Sequence, residues 1–432
     1  MSYSLAIEYL YGLQQHGIKL GLETICLLLV QLGNPQRALR VLHIGGTNGK
    51  GSTAAMAAAM LQHSGKRVGL YTSPHLVEFR ERIRVNGCMI TEEQVAKLVS
   101  RVRAVLGHDL KPTFFELTTA LAFLHFLESN VDVAVIEVGL GGRFDATNVV
   151  SRPLACAITT IGLDHQEYLG KTEEAIAYEK GGIIKPHVPI VIGRMGSQAE
   201  GVLRGIAREL SAPLWQLGQD FQIEAQGSER FLYRGASQVV DDLQCGLAGR
   251  HQWDNAACAL ALLEAADRAG IHTRATAARD GLRTVSWEGR LESIGEHPKV
   301  LLDGAHNPPA AKVLSRNLQE YASSHSTPRI ILVWGMMRDK DHRGFIAPLL
   351  PLVSEIVLTQ AALARSATVD ELRLALDTWP GPVSEAVFPM DALTLAKGRC
   401  SPHDLICIAG SLMLVGEVKA AVRGCGLSPI RG

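Results

Sequence analysis

The sequence lacks an excess of charge of either sign. Its 43 Lys and Arg residues balance its 43 Asp and Glu residues, so the formal net charge at pH 7 is zero. Proteins that bind nucleic acids or membrane surfaces commonly do so through an excess of basic residues. The charge balance therefore gives no reason to expect either of these partners.

Long apolar runs and paired cysteines are also missing. No stretch approaches the roughly 20 apolar residues that a membrane-spanning helix needs, and the N-terminal segment MSYSLAIEYLYGL lacks the basic start of a secretory signal. The eight cysteines are scattered, without a CxxC pair or a metal-like spacing, which fits a reduced cytosolic setting. We therefore expect a cytoplasmic protein.

The composition is that of an ordinary globular chain, with 432 residues of which 47% are hydrophobic and 20% are charged. Single hydrophobic cores stop growing near ~250–300 residues, so two or three domains are expected. Short runs that are apolar throughout alternate with helix-like segments in the first half; these runs are residues 41–46, 67–73, 131–139, 154–162 and 189–193. This pattern predicts an α/β fold with a mostly parallel sheet and helices on both faces.

The hydrophobic pattern changes twice further along the chain. Residues 213–247 contain shorter apolar runs and more polar residues, which predicts a β-rich segment. A helical segment follows at 254–270. Periodicity is lost over 284–299, and a new strand-loop-helix series begins with VLLDGAHNP. We predict a first domain over 1–287, of P-loop type, and a smaller C-terminal Rossmann-like α/β domain over 288–432.

The segment HIGGTNGKGST, residues 43–53, is the strongest local motif. It resembles a Walker A loop but fails the strict pattern, because Ile44 stands where the first glycine belongs and Gly51 follows Lys50. A glycine-rich turn between a strand and a helix directs backbone N–H groups at an anion, and Lys50 adds a positive charge. The motif favours ATP or GTP phosphates; the alternative is a plain turn that carries a surface lysine.

Polar residues follow several predicted strands. Glu137 ends the run VIEVG, and Asp164 and His165 follow the next run; with the segment TSPH after residue 71, these strand ends predict a converging magnesium site. Glu137 as a solvent-facing charge and His165 as a structural histidine are the alternatives. In the second half, LLDGAHNPPA places Asp303 and His306 just after a strand, where a helix cap is an equally simple explanation.

Taken together, the motifs resemble folylpolyglutamate synthase and its bifunctional form with dihydrofolate synthase, of the Mur ligase superfamily. The blocks that carry the resemblance, in order, are GTNGKGS, YTSPHL, ERIRVNG, FFELTTALAF, EVGLGGRFDATN, LDHQEYLG, EKGGIIKP, GRHQWDNAACAL, WEGRLE and DGAHNP. They span residues 46–308, and GSLMLVGEV near the C-terminus also fits. The opening loop is thus similar to the Mur-type variant of the P-loop.

The resemblance implies an ATP-dependent ligase that adds L-glutamate to dihydropteroate, to (tetrahydro)folate polyglutamate chains, or to both. ATP would phosphorylate the acceptor carboxylate, and the glutamate amine would attack the resulting acyl phosphate. Amide formation from a free carboxylate is uphill in water, whereas displacement of phosphate is not. The implied substrates are small molecules, the implied cofactors are ATP and one or two Mg²⁺, and we expect a monomer.

The resemblance also implies roles for individual residues. It implies the metal ligands Ser73, Glu137, His165 and a carbamylated Lys180, although Gly181 stands where alanine is expected. It implies that the catalytic residues are Lys50, Lys180 and His306, and that ATP is bound by Gly46, Thr47, Asn48, Gly49, Lys50, Gly51, Ser52, Asn255, Arg290 and Asp303, with His306 beside them. The implied substrate-binding residues are Thr113, Phe115, Glu116, Arg143, Asp145 and Ser411, with the pterin stacked on Phe115 and paired with Asp145.

Alternatives from other classes remain at this point. Phe115 lies in a segment that also reads as the core face of a helix. A P-loop switch that binds nucleotide without making a product would explain the loop but not GGRFDATN or DGAHNP. A Mur-type ligase acting on a cell-wall precursor is the other alternative, while GGRFDATN, with Arg143, resembles the bifunctional bacterial members.

Overall fold

The computed structural model describes residues 1–13, 21–107, 110–324, 329–376 and 379–427. The chain divides into two compact units. The first comprises Met1–His75, Phe79–Gly246 and Gln252–Ser286, and the second comprises Leu76–Glu78, Leu247–His251 and the chain from Trp287 onward. The predicted boundary at 287/288 stays a prediction, since two short earlier pieces of chain pack with the second unit.

The first unit alternates strands and helices along the chain. Its helices are α1 Tyr3–Gly12, α2 Glu23–Gln31, α3 Lys50–His63, α4 Glu92–Val105, α5 Phe114–Glu128, α6 Gln166–Leu169, α7 Glu173–Gly181, α8 Ser197–Glu209, α9 His251–Asp267 and α10 Ala275–Thr284. The first residue of α9, His251, belongs to the second unit. Its strands are β1 Val41–Gly45, β2 Val68–Tyr71, β3 Ile83–Val85, β4 Cys88–Met89, β5 Val133–Glu137, β6 Ala155–Ile158, β7 Ile190–Ile192, β8 Leu214–Gln216, β9 Gln222–Ala225, β10 Arg230–Arg234 and β11 Val239–Gln244.

Eight of these strands form one sheet in the order β4-β3-β2-β5-β1-β6-β7-β8. The pairs from β2 to β8 are parallel, and β3 and β4 add an antiparallel edge. The central strands β1 and β5 are buried at every position, as a parallel sheet covered on both faces requires. The predicted α/β class and mostly parallel sheet are confirmed, and β9 to β11 form the expected β-rich segment as a separate antiparallel sheet.

The second unit contains a six-stranded sheet in the order β12-β13-β17-β14-β15-β16. Its strands are β12 Glu292–Glu296, β13 Lys299–Leu302, β14 Ile330–Trp334, β15 Glu355–Leu358, β16 Val383–Glu385 and β17 Leu405–Ala409. Its helices are α11 Pro308–Ser324, α12 His342–Ile346, α13 Val369–Arg373, α14 Pro389–Arg399 and α15 Leu412–Arg423. Hydrophobic clusters pack on this sheet, and one of them includes Leu76 and Val77.

One strand of this sheet was not predicted. Residues 284–299 lack periodicity, yet β12 lies within them and pairs antiparallel with β13 at the edge of the sheet. The positions Glu292 to Gly295 are half-buried or exposed. An edge strand with two partly solvated faces shows no apolar alternation, so its pattern resembles a loop.

Among the described residues, no helix is both long and apolar enough to cross a membrane.

Candidate active site

The glycine loop leaves the centre of the first sheet at its carboxyl edge. Strand β1 lies between β5 and β6, with Ile44 opposite Glu137 and Gly45 opposite Ile158. Ligands of open α/β sheets bind at this edge, because the loops that follow parallel strands gather there. The register therefore brings the loop, Glu137 and the residues after Ile158 to one place.

Two loop glycines are required by close packing. Gly46 has φ 139° and Gly49 has φ 85°, both in the region that favours glycine. A Cβ atom at Gly46 would collide with the hydroxyl of Thr159, and one at Gly49 would collide with the side-chain oxygen of Asn255. The predicted ATP-binding residue Asn255 thus lies against the loop, where its Nδ2 donates to Gln252 Oε1 at 2.9 Å.

Two threonines that follow β6 form hydrogen bonds with the backbone of the glycine loop. The hydroxyls of Thr159 and Thr160 donate to the carbonyl oxygen of Asn48 at 2.5 and 3.1 Å, and Asn48 N donates to Thr160 Oγ1 at 3.0 Å. Thr47 N donates to Thr160 O at 2.8 Å, and its hydroxyl lies 3.1 Å from the N and O atoms of Gly162. We did not predict these residues; the signal was the hydroxyl pair at the end of a buried strand beside the loop strand.

Two lysines converge on one carbonyl oxygen of the loop. Lys50 Nζ donates to Gly46 O at 3.0 Å and to Thr47 O at 3.1 Å, and Lys180 Nζ donates to Gly46 O at 3.0 Å. Lys180 is only 4% exposed. Burial, and next the positive charge of Lys50, lower the pKa of Lys180 to about 7. A lysine ammonium beside a second lysine amine suits an anionic ligand such as a phosphate chain.

The predicted metal ligands are partly brought together. Ser73 follows β2, which pairs with β5 with Tyr71 opposite Ile136, and Ser73 N donates to Glu137 Oε2 at 3.1 Å. His165 is the N-cap of α6, with φ 49° and a side chain that is 39% exposed, and its backbone N donates to Asp164 Oδ1 at 2.9 Å. The structure thus joins Ser73 to Glu137 and places His165 beside Asp164.

Within the ranges that the structure describes, no three His, Cys, Asp or Glu side chains cluster closely enough to form a metal site by themselves. Mg²⁺ is usually held in enzymes by one or two carboxylates, and substrate phosphates and waters supply the other oxygens. Glu137 with the Ser73 hydroxyl, next to a phosphate-type loop, fits that donor set. A complete protein cage is not required.

The predicted substrate residues on α5 divide into two kinds. Thr113 and Glu116 form a capping box: Glu116 N donates to Thr113 Oγ1 at 3.2 Å, and Thr113 N donates to Glu116 Oε2 at 2.7 Å. Phe115 is half-buried, and its ring lies so close to Gly139 that a Cβ there would collide with it. The preceding Phe114 is buried instead, so Phe114 rather than Phe115 occupies the core face of this helix.

Asp145 is buried and its carboxylate is already well engaged. Oδ1 accepts from Thr147 N at 3.0 Å and from Thr147 Oγ1 at 2.5 Å, and Oδ2 accepts from Leu140 N at 2.8 Å. Burial raises the pKa of Asp145, and these hydrogen bonds act in the opposite direction. The backbone N–H of Gly139 also favours the charged carboxylate. Each carboxylate oxygen has about two acceptor sites, and Thr147 occupies both sites of Oδ1.

The side chain of Arg143 packs against helix α7. Its guanidinium lies 4.1 Å from the centre of the Tyr178 ring, donates to Tyr178 O at 3.2 Å, and lies 4.0 Å from the Glu179 carboxylate. These contacts orient the cation beside the loop that carries Asp145. A role in substrate binding stays a prediction.

The remaining predicted residues lie in the second unit, at the carboxyl edge of its sheet. Asp303 follows β13, and its carboxylate accepts from Leu291 N at 3.0 Å and from Ala305 N at 2.9 Å. Arg290 lies against Gly304, where a Cβ would approach its guanidinium to 2.6 Å. His306 Nδ1 lies 2.8 Å from Gly304 O, so Nδ1 carries the proton, because a carbonyl oxygen can only accept.

Ser411 occupies the neighbouring strand end. It is 2% exposed, follows β17, and accepts from Met413 N at 3.1 Å as the N-cap of α15. Gly410 N donates to Ala305 O at 2.9 Å, which joins this strand end to the turn after Asp303. The predicted residues of the second unit therefore form a second group around this turn; they are Arg290, Asp303, His306 and Ser411.

Known proteins resemble the chain over nearly its whole length. Residues 44–263 match the Mur ligase middle domain, and residues 289–412 match the glutamate ligase domain of Mur ligases. The chain is 36% identical over 434 residues to a dihydrofolate synthase/folylpolyglutamate synthase of Bacillus subtilis, covering 98% of this chain and 99% of the relative. It is 32% identical over 416 residues to the enzyme of the same description from Escherichia coli, covering 96% and 94%.

Solved structures agree with these sequence matches. E. coli FolC in complex with DHPP and ADP superimposes with a TM-score of 0.90 at 30% identity, with 98% of each chain covered. The bifunctional folylpolyglutamate synthase/dihydrofolate synthase of Yersinia pestis, complexed with AMPPNP and a Mn ion, has a TM-score of 0.88 at 30% identity, again with 98% of each chain covered.

Proposed function

The chain belongs to the dihydrofolate synthase/folylpolyglutamate synthase family of Mur ligases, and we propose that it joins L-glutamate to a pterin-bearing carboxylic acid with cleavage of ATP. The acceptors are dihydropteroate, reduced folates with their glutamate chains, or both. The observation that carries this proposal is the convergence of Lys50 and Lys180 on Gly46 O, at the sheet edge that also holds Glu137. Relatives with the same fold bind ADP, DHPP, AMPPNP and Mn, which supports ATP and a divalent metal as cofactors.

The first step is phosphoryl transfer. An oxygen of the acceptor carboxylate attacks the γ-phosphorus of ATP, the bond from that phosphorus to the β,γ-bridging oxygen breaks, and ADP leaves. Negative charge builds up on the transferring group, so the protein mainly supplies positioned cations and N–H donors. Lys50 is the loop cation for this charge, and the Gly46 and Gly49 backbone lets the loop surround it closely.

The divalent cation would be held by Ser73, Glu137 and His165, and it supplies electrostatic neutralisation of the phosphate oxygens when bound. Glu137 is the carboxylate of this set, and its contact with Ser73 N keeps the two ligands together. His165 lies on the loop after β6, three residues beyond Gly162, the glycine that contacts Thr47.

Lys180 has a special place in the proposal. A buried ammonium beside Lys50 and beside a bound cation would set like charges together, which is costly at low dielectric. Addition of CO₂ to the neutral amine gives a carbamate and releases one proton, so the cation becomes an anion with two oxygen donors. We propose that carbamylated Lys180 is a catalytic residue that serves a metal, and that it leaves Gly46 O when it does so.

The second step forms the amide. The amine of L-glutamate attacks the acyl phosphate carbon, a tetrahedral oxyanion forms, and inorganic phosphate leaves with the bonding electrons while the amine loses a proton to a base. We propose that Arg290, Asp303 and His306 bind ATP and that His306 is the catalytic residue among them; the contacts of Asp303 with Leu291 N and of His306 with Gly304 O support this by ordering the turn. Thr113, Phe115, Glu116, Arg143, Asp145 and Ser411 stay the proposed substrate residues, and action as a cytoplasmic monomer also stays a prediction.

A product assay tests this function. The purified protein is incubated with ATP, Mg²⁺, L-glutamate and either dihydropteroate or tetrahydrofolate, and the products are identified by mass. We expect one added glutamate residue per phosphate released, and no release when either the pterin acid or glutamate is omitted. Phosphate release without both substrates would indicate a nucleotide switch, and product formation only with a nucleotide-linked peptide would indicate a cell-wall ligase.

A further inference from the structure

A hydrogen-bonded chain connects the strand before the glycine loop to the loop that carries Asp145. His43 lies on β1 and is fully buried, with Nε2 2.8 Å from Thr147 Oγ1. Thr147, also fully buried, lies 2.5 Å through the same hydroxyl from Asp145 Oδ1 and donates its backbone N to that oxygen at 3.0 Å. The residues are about 100 positions apart in sequence, so only the fold brings them together.

The direction of these bonds follows from the chemistry of the three groups. When Asp145 is ionised, its carboxylate can only accept, so the single hydroxyl proton of Thr147 points at Oδ1. The Thr147 oxygen then accepts from His43, which requires the proton of the neutral imidazole to be on Nε2. Burial, and next the positive charge of Lys185, lower the pKa of His43 to about 3, so the imidazole is neutral at physiological pH. Each donor in this chain strengthens the next.

The result of this arrangement is a carboxylate with two unequal oxygens. Oδ1 receives both the hydroxyl and the backbone N–H of Thr147, whereas Oδ2 receives Leu140 N at 2.8 Å. Rotation of the carboxyl group would break several bonds at once. The carboxylate, whose charged form the backbone N–H of Gly139 also favours, therefore keeps a fixed orientation, and Oδ2 is the oxygen that Thr147 does not occupy.

We propose that His43 and Thr147 are positioning residues for the pterin acid, which hold Asp145 so that Oδ2 faces an N–H group of the heterocycle. The proposal rests on the proposed function, because Asp145 is a substrate residue only there. It extends the substrate site to two residues that do not touch the substrate and that act through Asp145 Oδ1. Since His43 precedes Gly45 and Gly46 by only two and three positions, it also ties the pterin loop to the strand that carries the phosphate loop.

A pair of variants at Thr147 tests this role. Thr147→Val keeps the side-chain shape but removes the hydroxyl, and we expect the KM and the Kd for dihydropteroate to rise about 10-fold to 100-fold, as for loss of a hydrogen bond to a charged group. The KM for ATP should change less than about 2-fold, because the phosphate loop itself is untouched. Thr147→Ser restores the hydroxyl and should bring the pterin KM back to within about 3-fold of wild type.

His43 is tested in the same way. His43→Gln keeps an N–H donor at the distance of Nε2, whereas His43→Leu removes it, so the leucine variant should show the larger rise in pterin KM. Ser315→Ala is the matched control, because it removes a half-buried hydroxyl that donates to Pro348 O at 2.8 Å in the second unit. This control should leave both KM values unchanged, and the Tm of every variant is measured so that loss of fold is recognised.

A spectroscopic measurement on the wild-type protein stands apart from activity and from any unfolding of variants. With ¹⁵N-labelled histidine, the ring nitrogens of His43 should show the Nε2-protonated tautomer between pH 5 and pH 8. The Nδ1-protonated tautomer would overturn the proposal. So would Thr147→Val with an unchanged pterin KM, or with equal rises in the KM for ATP and for the pterin. Failure of the proposed function would show differently, as an absence of pterin-dependent product in the wild-type protein itself.

Discussion

The two sheets differ in how the helix N-termini at their carboxyl edges are capped. In the first unit, α3 begins after Gly49, and no side chain caps its N-terminus. In the second unit, Ser411 caps α15 through Met413 N, and Asn307 Oδ1 accepts from Ala310 N at the start of α11. The N-terminal N–H groups of a helix attract anions unless a side chain satisfies them.

This difference suggests that the two edges have different roles in the ligase. The first edge presents an uncapped helix, a glycine loop and two lysines, which suits a phosphate chain that arrives and leaves. At the second edge, side chains accept hydrogen bonds from nearby backbone N–H groups, as Asp303 does from Leu291 N and Ala305 N. These bonds order the turn that carries Arg290 and His306. Substitutions at the first edge should therefore affect catalysis, and substitutions at the second edge should affect stability as well.

The largest expected effect concerns Lys180. Lys180→Ala should nearly abolish ligation, a loss of at least ~10³-fold, because it removes both the proposed carbamate and a group that contacts the loop. Acetate added to this variant should restore part of the activity by occupying the vacated space. Lys180→Arg is the comparison variant, and it should not respond, because guanidinium is cationic and fills the site. Equal responses of the two variants to acetate would remove the carbamate from the mechanism.

A slightly smaller loss is expected at Lys50. Lys50→Ala should lower kcat about 10²-fold to 10³-fold and leave the Tm nearly unchanged, since one positioned charge at the transferring phosphoryl group is lost. Lys97→Ala serves as control, because Lys97 is an exposed lysine paired with Glu128 on α5. Near-normal turnover in a folded Lys50→Ala protein would contradict the assignment of the loop to phosphate.

The proposed metal ligand Glu137 is tested by Glu137→Gln. The amide keeps the shape of the side chain but loses the charge that opposes Mg²⁺, so the Mg²⁺ concentration for half-maximal activity should rise roughly 10-fold to 100-fold. A titration of activity with Mg²⁺ measures the shift, and Glu128→Gln at the exposed end of α5 provides the comparison. An unchanged titration would return Glu137 to the role of a strand-end charge.

The smallest effect is expected at the second edge. Asp303→Asn replaces one acceptor oxygen by an NH₂ group that faces a backbone N–H, so the free energy of unfolding should fall by about 1–3 kcal/mol. Urea unfolding measures this loss, with Asp370→Asn, at an exposed position in the first turn of α13, as control. Lower activity without any change in stability would mean that Asp303 acts on the ligand directly and not through the turn.

Much of the fold could be predicted because parallel strands and their helices carry strong local patterns. The fully buried strands β1 and β5 are apolar throughout, and the glycine loop is visible as a motif. The edge strand β12 could not be predicted from its pattern, since neither of its faces is fully buried. Leu76 and Val77 likewise follow the YTS segment of the first unit in sequence but pack into the core of the second.

For the candidate site, the sequence by itself determined the chemistry that is available: a glycine turn before a helix, a lysine at its start, and carboxylates after buried strands. The resemblance to a ligase family added the roles, but not the contacts. Only the tertiary structure decided that Lys180 meets Lys50 at Gly46 O, 134 positions away along the chain, and that His43 reaches Asp145 through Thr147. The physical reason is the distance along the chain over which each effect acts. Backbone propensity and hydrophobic periodicity depend on a few neighbouring residues, whereas the burial and the charge of a group depend on every segment that packs against it.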